Sequence, residues 1–314
     1  MTSPLETISA VVVGREKEIA AIVAAVNCGR HILIEGPPGT SKSTVLRTIA
    51  KYLDIPLFIV EGNMDLTPAK LAGHFNPGKV MQDSYDPKHF EKGPLTMAME
   101  QGGILYIEEF NRMPADVANI LITPMEEREL NIPRYGKVVA QGKFTVVASQ
   151  NPYDDVGTVR ISRAFMDRIC RITLDYQSEA EELEIVSRRT GSTDEKLMLW
   201  AVKLARRTRE HEEIKMGASV RAAIDLVALG ESMKKNGLLT AENVEQAALM
   251  ALSSKVWLTE MSNKTPEQVV SSLVKEIKEK ENLSYVPVTD AEVGAEEKKT
   301  FHQGPEISSN NLRR

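Results

Sequence analysis

Residues 36–43 read Gly36-Pro37-Pro38-Gly39-Thr40-Ser41-Lys42-Ser43, set between an apolar run (Ile32, Leu33, Ile34) and a stretch of helical periodicity (Val45, Leu46, Ile49, Ala50, Leu53). Strand, glycine-rich turn and helix in that order are the layout of a phosphate-binding loop. Such a loop works because successive main-chain N–H groups converge at a helix N-terminus, whose partial positive charge favours anionic oxygens. Lys42 would reach the β- and γ-phosphates and the Ser43 hydroxyl would ligate Mg²⁺, so Gly36, Pro37, Pro38, Gly39, Thr40, Ser41, Lys42, Ser43 and Thr44 are the candidate nucleotide-binding residues. Ser41 stands where the second glycine of the pattern is expected. A position opening a helix can accept a Cβ, at the risk of crowding the nucleotide. Alone, the octapeptide fits an ordinary strand-to-helix turn equally well, and the rest of the chain has to decide.

The chain has 314 residues, 42% hydrophobic and 26% charged, enough for a large core and, by length, two domains. Two cysteines, Cys28 and Cys170, form no CxxC and do not combine with the five histidines at ligand spacing. A disulfide framework and a structural zinc site are therefore not expected, and the thiols are expected to be buried or idle in a reducing cytosol. No apolar stretch approaches the roughly 20 residues of a membrane span, and no basic-then-apolar leader opens the chain, so a cytoplasmic location is expected. With 39 basic against 44 acidic residues the net charge is -5, which offers no global attraction to nucleic acid or anionic lipid.

From residue 31 to about 174, β-rich runs alternate with helical or loop-rich segments, the pattern of a parallel sheet wrapped by helices. The runs are Ile32–Glu35, Leu57–Glu61, Ile104–Glu108, Phe144–Ser149 and Ile169–Leu174. Between the second and third, Gly73, Pro77, Gly78, Pro87, Gly93 and Pro94 punctuate a gap too long for one crossover helix, which predicts an inserted loop or hairpin. Leu130-Asn131-Ile132 and Lys137-Val138-Val139, around a Pro133–Gly136 turn, predict a β-hairpin before the fourth strand. After about residue 177 the pattern is helical only. Ser178 with Glu181, and Ser192 with Glu195, fit capping-box spacing. Thr265-Pro266-Glu267-Gln268 opens another helix with the stripe Val269, Val270, Leu273, Val274, Ile277, expected to pack on the helical domain. Beyond Asp290 a polar, aperiodic tail reads as disordered. The expected domains are 1–177 (α/β), 178–260 (small helical), 261–289 (C-terminal helix) and 290–314 (tail).

Ile104-Leu105-Tyr106-Ile107-Glu108-Glu109 is an apolar strand ending in two carboxylates. Beside a phosphate loop, the first acid would hold the Mg²⁺ water shell and the second would polarise the attacking water. Neighbouring strand residues face opposite sides, so both serve only if the chain bends on leaving the sheet, and Asn111, Arg112 and Pro114 predict such an exit. The usual first acid is Asp; the extra methylene of Glu108 must shift the carboxylate or the metal and could slow hydrolysis. Alone the pair would be a solvated strand end. Phe144-Thr145-Val146-Val147-Ala148-Ser149-Gln150-Asn151-Pro152 ends a strand in an amide before a proline turn. Asn151 there can hydrogen-bond the γ-phosphate or attacking water, although such an Asn is more often only a turn residue. Arg163 and Arg168 in one segment, and Arg221 in Gly217-Ala218-Ser219-Val220-Arg221, are the candidate phosphate arginines; isolated, each would be a surface ion-pair partner.

In this order the motifs resemble the AAA+ ATPases, and more narrowly the MoxR family, from about Val13 to Leu258. Val12-Val13-Gly14-Arg15-Glu16 resembles the segment near the adenine, making Val13 and Gly14 candidate nucleotide contacts. Gly36–Ser43 resembles Walker A, with Ser41 for glycine. Ile104–Glu109 resembles Walker B except at Glu108, and Glu109-Phe110-Asn111-Arg112 resembles the family's acid-apolar-Asn-Arg continuation. Gln150-Asn151-Pro152 is similar to sensor 1, Phe165-Met166-Asp167-Arg168 to the arginine-finger segment, and Gly217–Arg221 to sensor 2, where Val220 replaces a frequent Pro. The segments 73–93 and 129–143 match the clade's helix-2 insert and pre-sensor-1 hairpin. The resemblance implies a P-loop module with a parallel five-stranded sheet and an all-α lid. It also implies Mg²⁺ and ATP as ligands, Ser43 and Glu108 at the metal, and Glu109, Asn151, Arg168 and Arg221 in catalysis. A homo-oligomeric ring, usually hexameric, is implied, with Arg168 reaching the next subunit. So is a chaperone-like role on a protein client beside a separately encoded von Willebrand factor A domain partner. A nucleotide-gated scaffold with little turnover, a magnesium-chelatase-like motor subunit and, less well, a small-molecule kinase are the alternatives.

Overall fold

The computed structural model describes Ile8, residues 11–153, Thr158, 161–238 and 240–280. The chain divides into two compact units, Met1–Ile185 and Val186–Arg314. The first runs α1 (Glu16–Asn27), β1 (His31–Glu35), α2 (Lys42–Tyr52), β2 (Leu57–Glu61), α3 (Pro68–Ala72), β3 (Gly73–Phe75), α4 (Pro77–Asp83), β4 (Phe90–Lys92), α5 (Pro94–Gln101), β5 (Ile104–Glu108), α6 (Ala115–Ile120), α7 (Ile122–Glu126), β6 (Glu129–Ile132), β7 (Gly136–Val139), β8 (Thr145–Gln150), α8 (Arg163–Met166) and β9 (Ile169–Thr173). The division falls within α9 (Glu179–Thr190).

Five of these strands form one parallel sheet in the order β2-β5-β8-β1-β9. Its strands are apolar almost throughout because both faces are covered. Side-chain alternation splits the core in two. Ile32, Ile34, Ile104, Tyr106 and Val147 pack with Ile19, Ile22 and Val26 of α1 and Val45, Leu46 and Ile49 of α2. Leu33, Leu105, Ile107, Val146 and Ala148 pack with Leu95, Met99, Val117 and Leu121 on the other face. The expected strands are found to within one residue at each end.

Both expected interruptions are antiparallel hairpins. In the first, β3 pairs with β4 around α4, with Phe75 opposite Phe90. In the second, β6 pairs with β7, with Leu130 opposite Val138 and Ile132 opposite Gly136. Aromatic rings join them: Phe75 meets Phe90 edge-on at 5.2 Å and Phe90 stacks on Tyr135 at 4.2 Å.

The second unit contains α10 (Glu195–Glu210), α11 (Val220–Lys235), α12 (Ala241–Leu252) and α13 (Pro266–Lys280). The sequence predicts helices only here, and this is corrected by β10 (Ile214–Met216) and β11 (Trp257–Leu258), which form a short antiparallel pair. Gly230 lets α10 and α11 approach, since a Cβ there would lie 2.9 Å from a Leu197 methyl. The apolar stripe of α13 is buried at Val269, Val270, Leu273 and Ile277, and Thr265 and Gln268 cap it reciprocally. The expected tail lies outside the described residues. Cys28 and Cys170 are exposed, not buried, and are free thiols. Of the two expected capping boxes only one forms. Ser178 N–H donates to Glu181 at 2.7 Å and Glu181 N–H to Ser178 Oγ at 3.3 Å. Asp194, not Ser192, caps α10, accepting from Leu197 N–H at 3.1 Å, while the Ser192 hydroxyl is drawn to Glu231. Among the described residues no helix is long and apolar enough to cross a membrane.

His31 fastens the start of β1. Its Nδ1 accepts from Val146 N–H at 2.9 Å, which leaves Nε2 to donate to Met125 O at 3.0 Å. The ring is therefore neutral. Burial above all, reinforced by Arg128 and Arg30, holds the imidazole below its ordinary value. A group with a lowered folded-state value binds protons more readily when unfolded, so its contribution is complete above about pH 6.5 and declines as the pH falls. Chemical denaturation at a series of pH values should show stability dropping from about pH 6.5 downward, by at most about 1.4 kcal/mol per pH unit from this group. In His31→Gln the slope between about pH 6.5 and 5 should flatten; an unchanged slope would assign it elsewhere.

Candidate active site

The parallel register brings the carboxyl ends of β1, β8 and β5 together: Glu35 lies opposite Gln150, Ile34 opposite Ser149, and Ile107 opposite Ala148. The phosphate loop leaves β1 at this edge. Gly36 N–H donates to Gln150 O at 3.3 Å, and a Cβ on Gly36 would lie 2.3 Å from Leu174 O, so only glycine fits. The Thr40 hydroxyl donates to Pro37 O at 2.9 Å and closes the turn internally. Lys42 Nζ donates to Gly36 O at 2.7 Å and Pro37 O at 2.9 Å, laying its ammonium along the loop. Ser43 is half-buried and Thr44 exposed at the start of α2.

The loop keeps the backbone shape that the missing glycine would have given. Gly39 has φ +78° and Ser41 φ +65°, both left-handed. Ser41 opens the helix as expected, at its N-cap, but with a φ that favours glycine, which its side chain tolerates at a cost. No side chain caps α2 at Ser41. An uncapped first turn, an ammonium and a hydroxyl are the donor set that a polyphosphate takes.

Glu108 ends β5, and Glu109 follows in the left-handed region (φ 51°, ψ 44°) before a single 3₁₀ turn, Phe110–Arg112. That is the predicted bend, by which two consecutive carboxylates avoid opposite faces. Gly62 makes room for it: Gly62 N–H donates to Glu108 O at 2.7 Å, and a Cβ there would lie 2.4 Å from Glu109 O. Glu109 pairs with Arg112 at 3.2 Å. Among the described residues no group of three or more His, Cys, Asp or Glu side chains is poised to hold a metal. A cation at Ser43 and Glu108 would complete its shell from substrate and water, which suits Mg²⁺.

Asn151 sits in the turn that one of its two expected readings gives it. Its Oδ1 accepts from Tyr153 N–H at 3.2 Å, a turn contact that leaves the amide NH₂ as the group for a ligand. Buried Asn111 donates to Asn151 O at 3.4 Å, joining the segment after β5 to the end of β8. Phe110 stacks on Phe165 at 4.4 Å, and so anchors α8, just before Arg168, against the same segment. Arg168 is half-buried; Nε donates to Glu126 at 2.9 Å and Nη1 to Ala164 O at 2.6 Å. Arg163, exposed, opens α8. Val13 O accepts from Gln177 Nε2 at 3.4 Å, and Gly14 has φ +64° with Glu181 packed where a Cβ would stand. Arg221 belongs to the second unit, exposed on the first turn of α11 behind the Ser219 cap.

Sequence reading missed several groups here. Tyr106, with its phenol between Ser43 and Ser149, read as an apolar strand residue. Glu35 is a buried carboxylate held by Gln150 Nε2 at 2.6 Å and by Arg171. Both are strand side chains whose partners lie far along the chain, so no local spacing reports them. Gly62 carried a usable signal, a glycine directly after a strand.

Residues 31–169 match the AAA domain family described as the dynein-related subfamily. YeaC of Bacillus subtilis, an uncharacterized protein, is 25% identical over 73% of this chain and 77% of its own. The gas vesicle ATPase GvpN1 of Halobacterium salinarum is 25% identical over 76% of this chain and 70% of its own. NorQ of Paracoccus denitrificans is 29% identical over 75% of this chain and 85% of its own. A solved RuvB variant from Thermotoga maritima shares the fold, with a TM-score of 0.51, 20% identity, and coverage of 93% of this chain and 82% of that one.

The left-handed serine yields a direct test. Ser41→Gly should relieve roughly 1–2 kcal/mol of backbone strain. The greater freedom of the unfolded glycine returns about 0.4–1 kcal/mol of that. Denaturant unfolding should therefore show a net gain of the order of 0.5–1 kcal/mol, and a loss of stability would mean that Ser41 makes a compensating contact.

Proposed function

Because the chain belongs to the MoxR-type AAA+ ATPases, we propose that it couples Mg²⁺-dependent ATP hydrolysis in a ring of identical subunits to the remodelling or maturation of a partner protein complex. The ATPase assignment itself follows from the family. The observation that carries the mechanism is the meeting, at one sheet edge, of the loop before Lys42, the bent Glu108–Glu109 pair and Asn151.

In this reading the main-chain N–H groups before α2 and the Lys42 ammonium hold the triphosphate. Ser43 and Glu108 would hold Mg²⁺, which supplies charge neutralisation at the β- and γ-oxygens. Glu109 accepts a proton from the attacking water, and Asn151 donates to the γ-phosphate or to that water. Val13 and Gly14 border the base. Arg168 from an adjacent copy and Arg221 from the helical unit stabilise charge spreading over the equatorial oxygens, which turns assembly into a switch for turnover. In this reading the segment from 178 to 260 serves as a lid domain and α13 (Pro266–Lys280) as the C-terminal helix that follows it. The client is a protein complex in the cytoplasm, and a separate von Willebrand factor A domain chain presents it.

Steady-state hydrolysis is the test. Glu109→Gln should retain ATP binding while losing turnover, and Arg168→Ala should lower turnover by about 10³-fold or more, as transition-state arginines do in related phosphoryl transfers. Wild-type rates in both variants would overturn these roles. A monomer hydrolysing at the full rate would remove the ring.

A further inference from the structure

Tyr106 is fully buried in the middle of β5, yet its hydroxyl bridges two serines: Ser43 Oγ at 3.2 Å and Ser149 Oγ at 3.0 Å. It belongs to one buried apolar cluster with Ile32, Ile34, Val45, Leu46, Ile49 and Val147. A phenol there must find its partners in protein. It finds them in the first turn of α2 and in the last turn of sheet before Asn151, the two sides of the proposed metal and phosphate site. Tyr106 and Glu108, two residues apart on a strand, share the face toward α2.

We propose that Tyr106 is a positioning residue that orients the Ser43 hydroxyl for the divalent cation. The inference rests on the reading of Ser43 as a metal ligand. Each hydroxyl has one proton to give. To offer a lone pair to a cation, Ser43 must turn its proton away from it, and the Tyr106 oxygen is placed to accept that proton. Tyr106 in turn donates to Ser149 Oγ, which fixes the direction of the chain as Ser43 to Tyr106 to Ser149. Phenylalanine would fill the same space and leave the Ser43 hydroxyl free to rotate.

The test is the Mg²⁺ dependence of ATP hydrolysis at saturating ATP in wild type, Tyr106→Phe, Ser43→Ala and the double variant. Tyr106→Phe should raise the Mg²⁺ concentration for half-maximal rate by about tenfold, the usual loss when an outer partner of a metal ligand is removed. ATP binding in excess EDTA, measured by calorimetry, should stay at the wild-type value, which a general loosening of the sheet would not permit. The double variant should be no worse than Ser43→Ala, because Tyr106 acts through Ser43. If Ser43→Ala shifts the Mg²⁺ requirement and Tyr106→Phe does not, the positioning role is wrong and the ligand role of Ser43 stands. If Ser43→Ala shifts nothing, both fall. Should Tyr106→Phe fail to fold, Ser149→Ala removes the other end of the chain: a rise in Mg²⁺ requirement supports the role, and an unchanged one rejects it.

Discussion

Parallel pairing of β1 with β8 and of β8 with β5 determines where the phosphate loop, Glu108 and Asn151 end up. Glu35 beside Gln150 sets the start of the phosphate loop against the residue that precedes Asn151, and Ile107 beside Ala148 brings Glu108 to within one residue of that row. A slip of one residue in either ladder would turn every side chain of that strand to the opposite face and draw Glu108 away from this edge. Register is held here by two continuous apolar faces and, at the loop end, by Glu35, whose carboxylate takes Gln150 from β8 and Arg171 from β9. Three strands are thereby locked at the edge where the ligand would pull on them. A buried acid of this kind is weak evidence of net stabilisation, since desolvation offsets much of the attraction. It is good evidence for a fixed geometry, because releasing either partner strands a charge.

Against that rigid edge, two residues sit in backbone states that side chains disfavour. Ser41 and Glu109 are both left-handed, one opening the helix under the phosphates and the other turning the second carboxylate out of the sheet. Conformations of this sort cost roughly 1–3 kcal/mol each and persist where neighbours over-determine them. Gly62 supplies the neighbour for Glu109 through its N–H bond to Glu108 O and its missing side chain. The helix α2, packed through Val45, Leu46 and Ile49, supplies it for Ser41. Strain and support meet at the residues proposed to touch nucleotide and water.

What could be read from the sequence followed how local each cause is. The five sheet strands were legible because each is a short apolar run bounded by turn residues. The bend at Glu109 was legible because two acids on a strand demand one. Ser178 and Glu181 were legible as a reciprocal cap since both partners lie within one turn. Ser192 and Glu195 have the same spacing and failed, because Asp194 is the better acceptor for Leu197 N–H and Glu231, far along the chain, competes for the Ser192 hydroxyl. Tyr106 was illegible for the same reason: in an apolar strand a tyrosine reads as bulk, and its two serine partners are supplied only by the fold. The thiols were read as buried or idle, and burial is the alternative that fails, since cysteine's general preference for it says nothing about a helix end such as Cys28 or an edge strand such as β9.

Arg168, proposed to act in catalysis, is held as a structural arginine would be. Its guanidinium is held within its own chain by Glu126 and by Ala164 O, so Arg163, exposed at the first residue of α8, offers itself as the readier donor to a neighbour. Energetics favours Arg168 nonetheless. Glu126 is more than half exposed, and an ion pair so placed contributes about 0–1 kcal/mol. Exchanging it for phosphate oxygens costs little and gains a charge-assisted, fork-shaped contact. Arg168 also follows directly on the helix that Phe165 stacks against Phe110, one residue after Glu109, so its base moves with the segment that carries the proposed water-activating carboxylate. Arg163 sits at the far end of that short helix and lacks this coupling. On the proposed role, Glu126 would hold Arg168 until a stronger anion displaced it, and the stacked rings would keep the two proposed catalytic side chains in one mechanical unit.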